Sequence, residues 1–179
     1  MRVLYVGNMG AAHALRTFIK AFQHLPTEYT LEFIGDGKRR EELETLTREL
    51  ELTDQIHFAG FVDRTEVAAR LQRSALSVVP LQEDLRLDYA RPNKLLESMA
   101  VGTPYVASDI REIRRVTDES VSGAVVSNDS DEIASTIQDL MSRPEEREKM
   151  GDSAISYIEE HHRWPLLGER VKSVLQSVN

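Results

Sequence analysis

Short runs that are apolar on both faces alternate with stretches whose apolar residues recur every three or four positions. This alternation constrains the chain more than any other feature. The run RVLYVG (2–7) precedes Leu15, Phe18, Ile19, Phe22 and Leu25, which share one helical stripe. The run YTLEFIG (29–35) precedes Leu43, Leu46 and Leu50 on a helix that opens near Lys38 with Lys, Arg and Glu on its other faces. The pattern continues with QIHFAGF and a helix near 64–74, ALSVVPL and a helix from about Asn93, PYVAS and a short helix near 110–116, and GAVVS ahead of Ile133, Ile137, Leu140 and Met141. Strands without a polar face must be covered on both sides. The repetition therefore predicts a doubly wound parallel sheet of Rossmann-like type, three layers deep (α/β/α), in a single domain over 1–179.

After Arg143 and Pro144 the alternation stops, and two helical periods follow with no strand between them. Met150, Ala154, Ile155 and Ile158 mark the first; Leu167, Val171, Val174, Leu175 and Val178 mark the second, beyond Trp164 and Pro165. These C-terminal helices, about 145–179, are expected to pack on the sheet domain or towards a further domain.

At 179 residues and 41% hydrophobic content the chain can bury a sizeable core. Lysine and arginine number 22 against 30 acidic residues, so no basic surface for nucleic acid is expected and any anion site must be local. No cysteine is present, which removes disulfide and thiolate chemistry. Apolar runs fall far short of the roughly 20 residues of a membrane span, and no signal-like segment follows Met1. A cytoplasmic protein without a transmembrane segment is the expectation.

In open α/β sheets ligands bind at the carboxyl ends of the strands. Gly7 and Asn8 follow the first strand, Gly35, Asp36 and Gly37 the second, Gly60 to Asp63 the third, and Leu81 to Arg91 the fourth. Glycine at such a turn is also ordinary punctuation. The stretch RPNKLLESMAVGTPYVASD (91–109) says more. Pro92 is placed to begin a helix as its first residue. The free amides of Asn93, Lys94 and their neighbours then offer a positive end to a pyrophosphate. Glu97, four residues after Asn93, shares its face and could accept from both hydroxyls of a ribose; on spacing alone, a carboxylate that simply favours the helix dipole is an equal reading. The loop QEDLRLDYARPN (82–93) is long for a strand-to-helix connection, and its Arg86 and Arg91, with Lys94, offer charge for a pyrophosphate or form a solvated cluster.

Asp129, Ser130 and Asp131 look like an acidic metal pair, yet an N-cap ahead of Ile133 and Ile137 explains them better. None of His13, His24, His57, His161 and His162 has a partner at ligand spacing, so no metal site is expected. No serine sits in a nucleophile elbow.

Taken in order, LYVGN, LEFIGDGKRREELETLTRELELTDQIHFAGFVDRTEVAARLQRSALSVVP, RPNKLLESMAVGTPYVASDIREIRRV and the terminal Trp164 segment resemble the C-terminal, donor-binding domain of retaining glycosyltransferases with the GT-B fold, group 1 or family 4 type. The resemblance implies one half of a GT-B fold with extra C-terminal helices. Its substrate would be a nucleotide-sugar donor (UDP-, GDP- or ADP-linked), with no other cofactor, for metal-independent transfer with retention. On this resemblance Glu97 holds the donor ribose, Val62 and Asp63 border the base, Asn93 and Lys94 meet the distal phosphate, and Gly7 and Asn8 face the phosphates. Tyr89, with Asp88 beside it, stands where many members have a first glutamate, and Asn8 and His13 stand where they have an arginine and a lysine. The catalytic residues are therefore not fixed by the resemblance. Arg86, Arg91, Lys94 or a protonated His13 are the candidates for stabilising the leaving group. A hexosyltransferase of this kind needs a second Rossmann-like domain for the acceptor, in cis or in trans, and the chain is expected to be inactive alone. A non-catalytic nucleotide-sugar binding or regulatory module is the alternative reading. A flavodoxin-like receiver fits less well, because Gly7 and Asn8 occupy the place of its paired carboxylates.

Overall fold

The computed structural model describes residues 1–83 and 88–162. Among them lie six parallel strands, β1 (Arg2–Val6), β2 (Thr30–Ile34), β3 (Ile56–Gly60), β4 (Leu76–Val79), β5 (Tyr105–Ser108) and β6 (Gly123–Val126), in the order β3-β2-β1-β4-β5-β6. The helices are α1 (Leu15–Ala21), α2 (Arg40–Glu49), α3 (Arg64–Gln72), α4 (Asn93–Ala100), α5 (Arg111–Ser120), α6 (Ser130–Ser142) and α7 (Pro144–His161). The order reverses between β1 and β4, so the crevice of a doubly wound sheet opens at their carboxyl ends.

Alternate side chains of each strand enter opposite layers. Val3, Tyr5, Leu31 and Phe33 join Phe18, Ile19, Leu43 and Ile137 in one core, while Leu4 and Ile34 meet Leu71 of α3 on the other face. Beside that second layer, Val79, Tyr105 and Ala107 pack with Leu95, Met99, Ile113 and Ala154. Fully burying Leu95 and Met99 stabilises the seat of α4 by about 2 kcal/mol each. Both faces are covered at the central strands β1, β4 and β5, while the edge strand β3 leaves His57 and Ala59 exposed.

The predicted first helix ends early: Phe22–His24 tightens into a 3-10 turn and Leu25 turns extended (φ −103°, ψ 151°). Pro26 enforces this, because the residue before a proline is pushed out of the helical region. Asp129 caps α6, its carboxylate accepting from the amides of Asp131 and Glu132 at 3.0 Å each. The acidic stretch is a helix start, as its spacing suggested. The first C-terminal period is α7, which lays Ala154 and Tyr157 into the layer of α4 and α5. The second period and Trp164 lie outside the described residues.

Candidate functional site

Three strands end in glycines whose backbone takes left-handed angles: Gly7 (φ +141°), Gly35 (φ +117°) and Gly60 (φ +72°). A bulge after Phe33 sets Ile34 opposite Gly60, and amide bonds then run from Gly7 to Ile34 (2.9 Å) and from Gly35 to Gly60 (2.7 Å). At Gly35 a Cβ would stand 2.2 Å from the Gly7 carbonyl oxygen, so a side chain cannot enter there. The result is a stepped backbone ledge along the carboxyl ends of β1 to β3.

Above the ledge sits α4. Pro92 is its N-cap (φ −68°, ψ 139°), and the helix proper opens at Asn93. This corrects the expectation that Pro92 is the first helical residue; its ψ is extended, so only its carbonyl joins the helix, accepting from Leu95 at 3.0 Å. Asn93 is exposed at this start, whereas Lys94 turns inward. Lys94 Nζ donates to the Tyr5 hydroxyl at 3.0 Å and lies 4.4 Å from the Tyr5 ring centroid. The same ammonium stands 3.0 Å from where a Cβ on Gly7 would be. Tyr5 in turn donates to the Asn8 carbonyl at 2.6 Å. Burial pulls the Lys94 pKa down to about 7, with the nearby Glu97 charge acting against that shift.

His13 belongs to the same cluster, edge-on to Tyr5 at 6.1 Å between ring centroids. Burial first, and then the Lys94 charge, lower its pKa to about 4; the backbone bond to Gly10 opposes them. Both effects favour the neutral imidazole at neutral pH. Its Nδ1 is buried and has no hydrogen-bond partner among the described residues. Arg91 is exposed and 3.9 Å from Glu112, so an acid already engages it. Arg86 lies outside the described residues. Tyr89 is 79% exposed and lies near Arg111, whose guanidinium carbon is 5.7 Å from its ring centroid.

Glu97 follows Lys94 by one turn of α4. It is half-buried and makes no hydrogen bond or ion pair among the described residues. It borders a cavity of about 200 Å³ between α3 and α4, with Arg64 on the far rim and Val67, Leu71 and Val101 in the walls. Val62 packs into the layer beneath, with Leu4, Ile34 and Leu71. Asp63 is the exposed N-cap of α3, but its side chain does not cap the helix. The structure thus brings Gly7, Asn8, His13 and Lys94 into one group and sets Glu97 in a groove with the head of α3; Arg91 stands apart on Glu112.

Sequence reasoning missed Tyr5, Arg64 and a polar clasp at Leu81, just after β4. In the clasp the Ser108 hydroxyl accepts from the Leu81 amide (2.9 Å) and donates to Asn128 Oδ1 (2.7 Å), while Asn128 Nδ2 donates to the Leu81 carbonyl (2.8 Å). It ties the exit of β4 to the ends of β5 and β6. The signal for Tyr5 was present: a tyrosine in a fully apolar strand needs a partner for its hydroxyl.

Among the described residues no three His, Asp or Glu side chains gather as metal ligands, and no helix is long and apolar enough to cross a membrane. The chain is 29% identical over 157 residues to the alpha-D-kanosaminyltransferase of Streptomyces kanamyceticus, covering 85% of this chain and 39% of that protein. Among solved structures it resembles the C-terminal domain of a glycosyl transferase group 1 family protein from Francisella tularensis (TM-score 0.73, 20% identity, 91% of this chain and 86% of that one). It also resembles an Anabaena protein crystallised with UDP and glucose (TM-score 0.84, 17% identity, 98% of this chain and 48% of that one). These structural likenesses carry the fold, a Rossmann-like half of GT-B type. The family model of glycosyl transferases group 1 matches residues 2–157, and the chain belongs to that family.

Proposed function

We propose that the chain binds a nucleotide-diphospho-sugar and presents it for retaining, metal-independent transfer in the cytoplasm, to an acceptor held by a second Rossmann-like domain in cis or in trans. One observation carries the reading: Glu97 is a half-buried carboxylate at the ligand edge with no hydrogen-bond partner among the described residues. Its oxygens are neither sealed from solvent nor engaged by the fold, so the carboxylate is free to accept from a ligand that brings two donors, as the vicinal hydroxyls of a ribose do.

The remaining roles are those the family resemblance implies. Gly7 and the Asn8 backbone face the phosphates, Asn93 and Lys94 the distal phosphate, and Val62 and Asp63 the base. As the glycosidic bond breaks, negative charge collects on the departing diphosphate. Lys94, shielded from water by Tyr5 and Gly7, is the cation that meets it, and a cation in so dry a place stabilises developing charge more than one in solvent. The UDP of the Anabaena neighbour and the sugar transfer named for the Streptomyces relative support a nucleotide-sugar donor. The chain spans 39% of that relative's length. In this reading the second domain holds the acceptor and helps to exclude water, so turnover by residues 1–179 alone should be low.

Thermal unfolding of the wild type and Glu97→Ala with UDP, GDP and ADP tests the reading. A nucleotide at a hundred times its dissociation constant adds about 2.7 kcal/mol, a rise of roughly 5–10 °C for a domain of this size. A rise with at least one nucleotide that Glu97→Ala abolishes is expected; no rise with any of them would sink the donor site.

A further inference from the structure

We propose that Arg64, with Asp63 beside it, reads the donor's base and selects the lactam edge of guanine or uracil over the amidine edge of adenine or cytosine. The inference rests on the donor reading above. Arg64 is the first residue of α3 and lines the groove opposite Glu97. The walls between them are aliphatic, from Val67, Leu71 and Val101, and suit the flat face of a base whose ribose reaches Glu97.

Asp63 and Arg64, the first two charged groups at the head of α3, are uncommitted, whereas Glu66 in the same turn pairs with Arg70. Arg39, Arg40, Arg70, Arg91, Arg114, Arg115 and Arg143 each stand within 4.0 Å of a carboxylate, whereas Arg64 makes no hydrogen bond or ion pair among the described residues. Asp63 has the position of an N-cap, yet its carboxylate bonds to no backbone amide. An aspartate there ordinarily accepts from the second or third amide of the helix. Two opposite charges are therefore adjacent at the head of α3, Arg64 lining the apolar groove and Asp63 one residue before it, bound neither to the fold nor to each other.

Their chemistry sets what they can read. A guanidinium only donates hydrogen bonds and an ionised carboxylate only accepts them. The edge that satisfies both has a carbonyl oxygen next to a ring N–H: O6 and N1–H in guanine, O4 and N3–H in uracil. Adenine and cytosine reverse the pair, putting an amino donor against Arg64 and a ring acceptor against Asp63. Both protein groups would then lose their water without gaining a partner, which is how polar sites reject a near-isostere most strongly. Guanine also offers O6 and N7 together to the arginine fork.

Isothermal titration of the full chain with GDP, UDP, ADP and CDP tests this, using wild type, Arg64→Ala, Arg64→Lys, Asp63→Asn and Glu97→Ala. Wild type is expected to bind GDP or UDP at least about tenfold more tightly than ADP and CDP. Arg64→Ala should bring the four to within a few-fold, and Arg64→Lys, which keeps the charge but not the fork, should lose most of the preference. Asp63→Asn should narrow it too. Glu97→Ala should weaken all four while leaving their ratios unchanged. If ADP binds as tightly as GDP and UDP while Glu97→Ala still weakens it, the donor site stands and the base inference falls. A preference that survives the Arg64 and Asp63 substitutions has the same meaning. No binding of any nucleotide to the wild type overturns both. Should Arg64→Ala fail to fold, Arg64→Lys and Asp63→Asn carry the test, since both preserve size and the helix start.

Discussion

Lys94 and Tyr5, 89 residues apart, meet at 3.0 Å above Gly7, and the tyrosine hydroxyl donates its own hydrogen bond to the Asn8 carbonyl. The contact fixes an ammonium at the switch point of the sheet while withholding from it the water that a lysine normally keeps. Burial pushes the Tyr5 phenol upward, so it stays a neutral donor and no phenolate forms to pair with Lys94. The lysine is consequently poised near half-charge at neutral pH, and an arriving diphosphate would restore its full charge.

Lys94 therefore gives stability a particular pH dependence. Its pKa falls from 10.5 to about 7 on folding, so between those values the unfolded chain binds the extra proton. Below about pH 7 both states are charged and the folded state bears the whole cost of the buried ammonium; as pH rises towards 10.5 that cost disappears. Stability relative to a Lys94→Met variant should rise across this window, by at most about 1.4 kcal/mol per pH unit. Denaturant melts at pH 6.5, 8 and 9.5 check it, and parallel curves for the two proteins would refute it. Nucleotide binding at pH 8 should take up a proton, seen as a dependence of the calorimetric heat on buffer ionisation.

His13 predicts the acid limb. Its folded pKa of about 4 lies below the ordinary 6.5, so the unfolded chain binds the extra proton between them. The contribution of neutral His13 is whole above pH 6.5 and is lost as pH falls through 6.5 towards 4. His13→Asn should flatten that part of the stability curve. Because the Lys94 charge is the second cause of the shift, Lys94→Met should raise the His13 pKa, which an NMR titration of the imidazole reads directly. A His13 resonance titrating near 6.5 in the wild type would contradict both statements.

The sheet, its parallel sense and most helices were legible because they follow from periodicity, a property of neighbours in sequence. Asp129 as a cap was legible for the same reason. The order β3-β2-β1-β4-β5-β6 was not read, since runs that are apolar on both faces do not encode which strand lies beside which. At the site, Gly7, Lys94 and Glu97 could be placed at one edge by rule, but their states could not. Whether His13 is charged depends on burial beside a lysine that arrives from α4, and whether Arg64 is free depends on which acids the fold brings to it. Residue type fixes what a group can do; the tertiary surroundings decide whether it is already engaged.

Val121 is the exposed end of α5, 64% exposed, with φ 49° and ψ 40°. A β-branched residue in the left-handed region sets its Cβ against the following carbonyl, at a cost of roughly 1–2 kcal/mol, and glycine is the usual residue where a helix ends this way. Its amide still closes the helix by donating to the Thr117 carbonyl at 2.8 Å, a bond that glycine would keep. So little of the valine is buried that its removal forfeits little hydrophobic contact. Against the relieved strain stands the greater freedom of glycine in the unfolded chain, worth roughly 0.5–1 kcal/mol. Val121→Gly should therefore stabilise the protein by up to about 1 kcal/mol, a Tm gain of about 2–4 °C, with nucleotide binding unchanged. Thermal melts of the two proteins decide it: a lower Tm for Val121→Gly would show that the valine side chain makes contacts that outweigh its strained backbone.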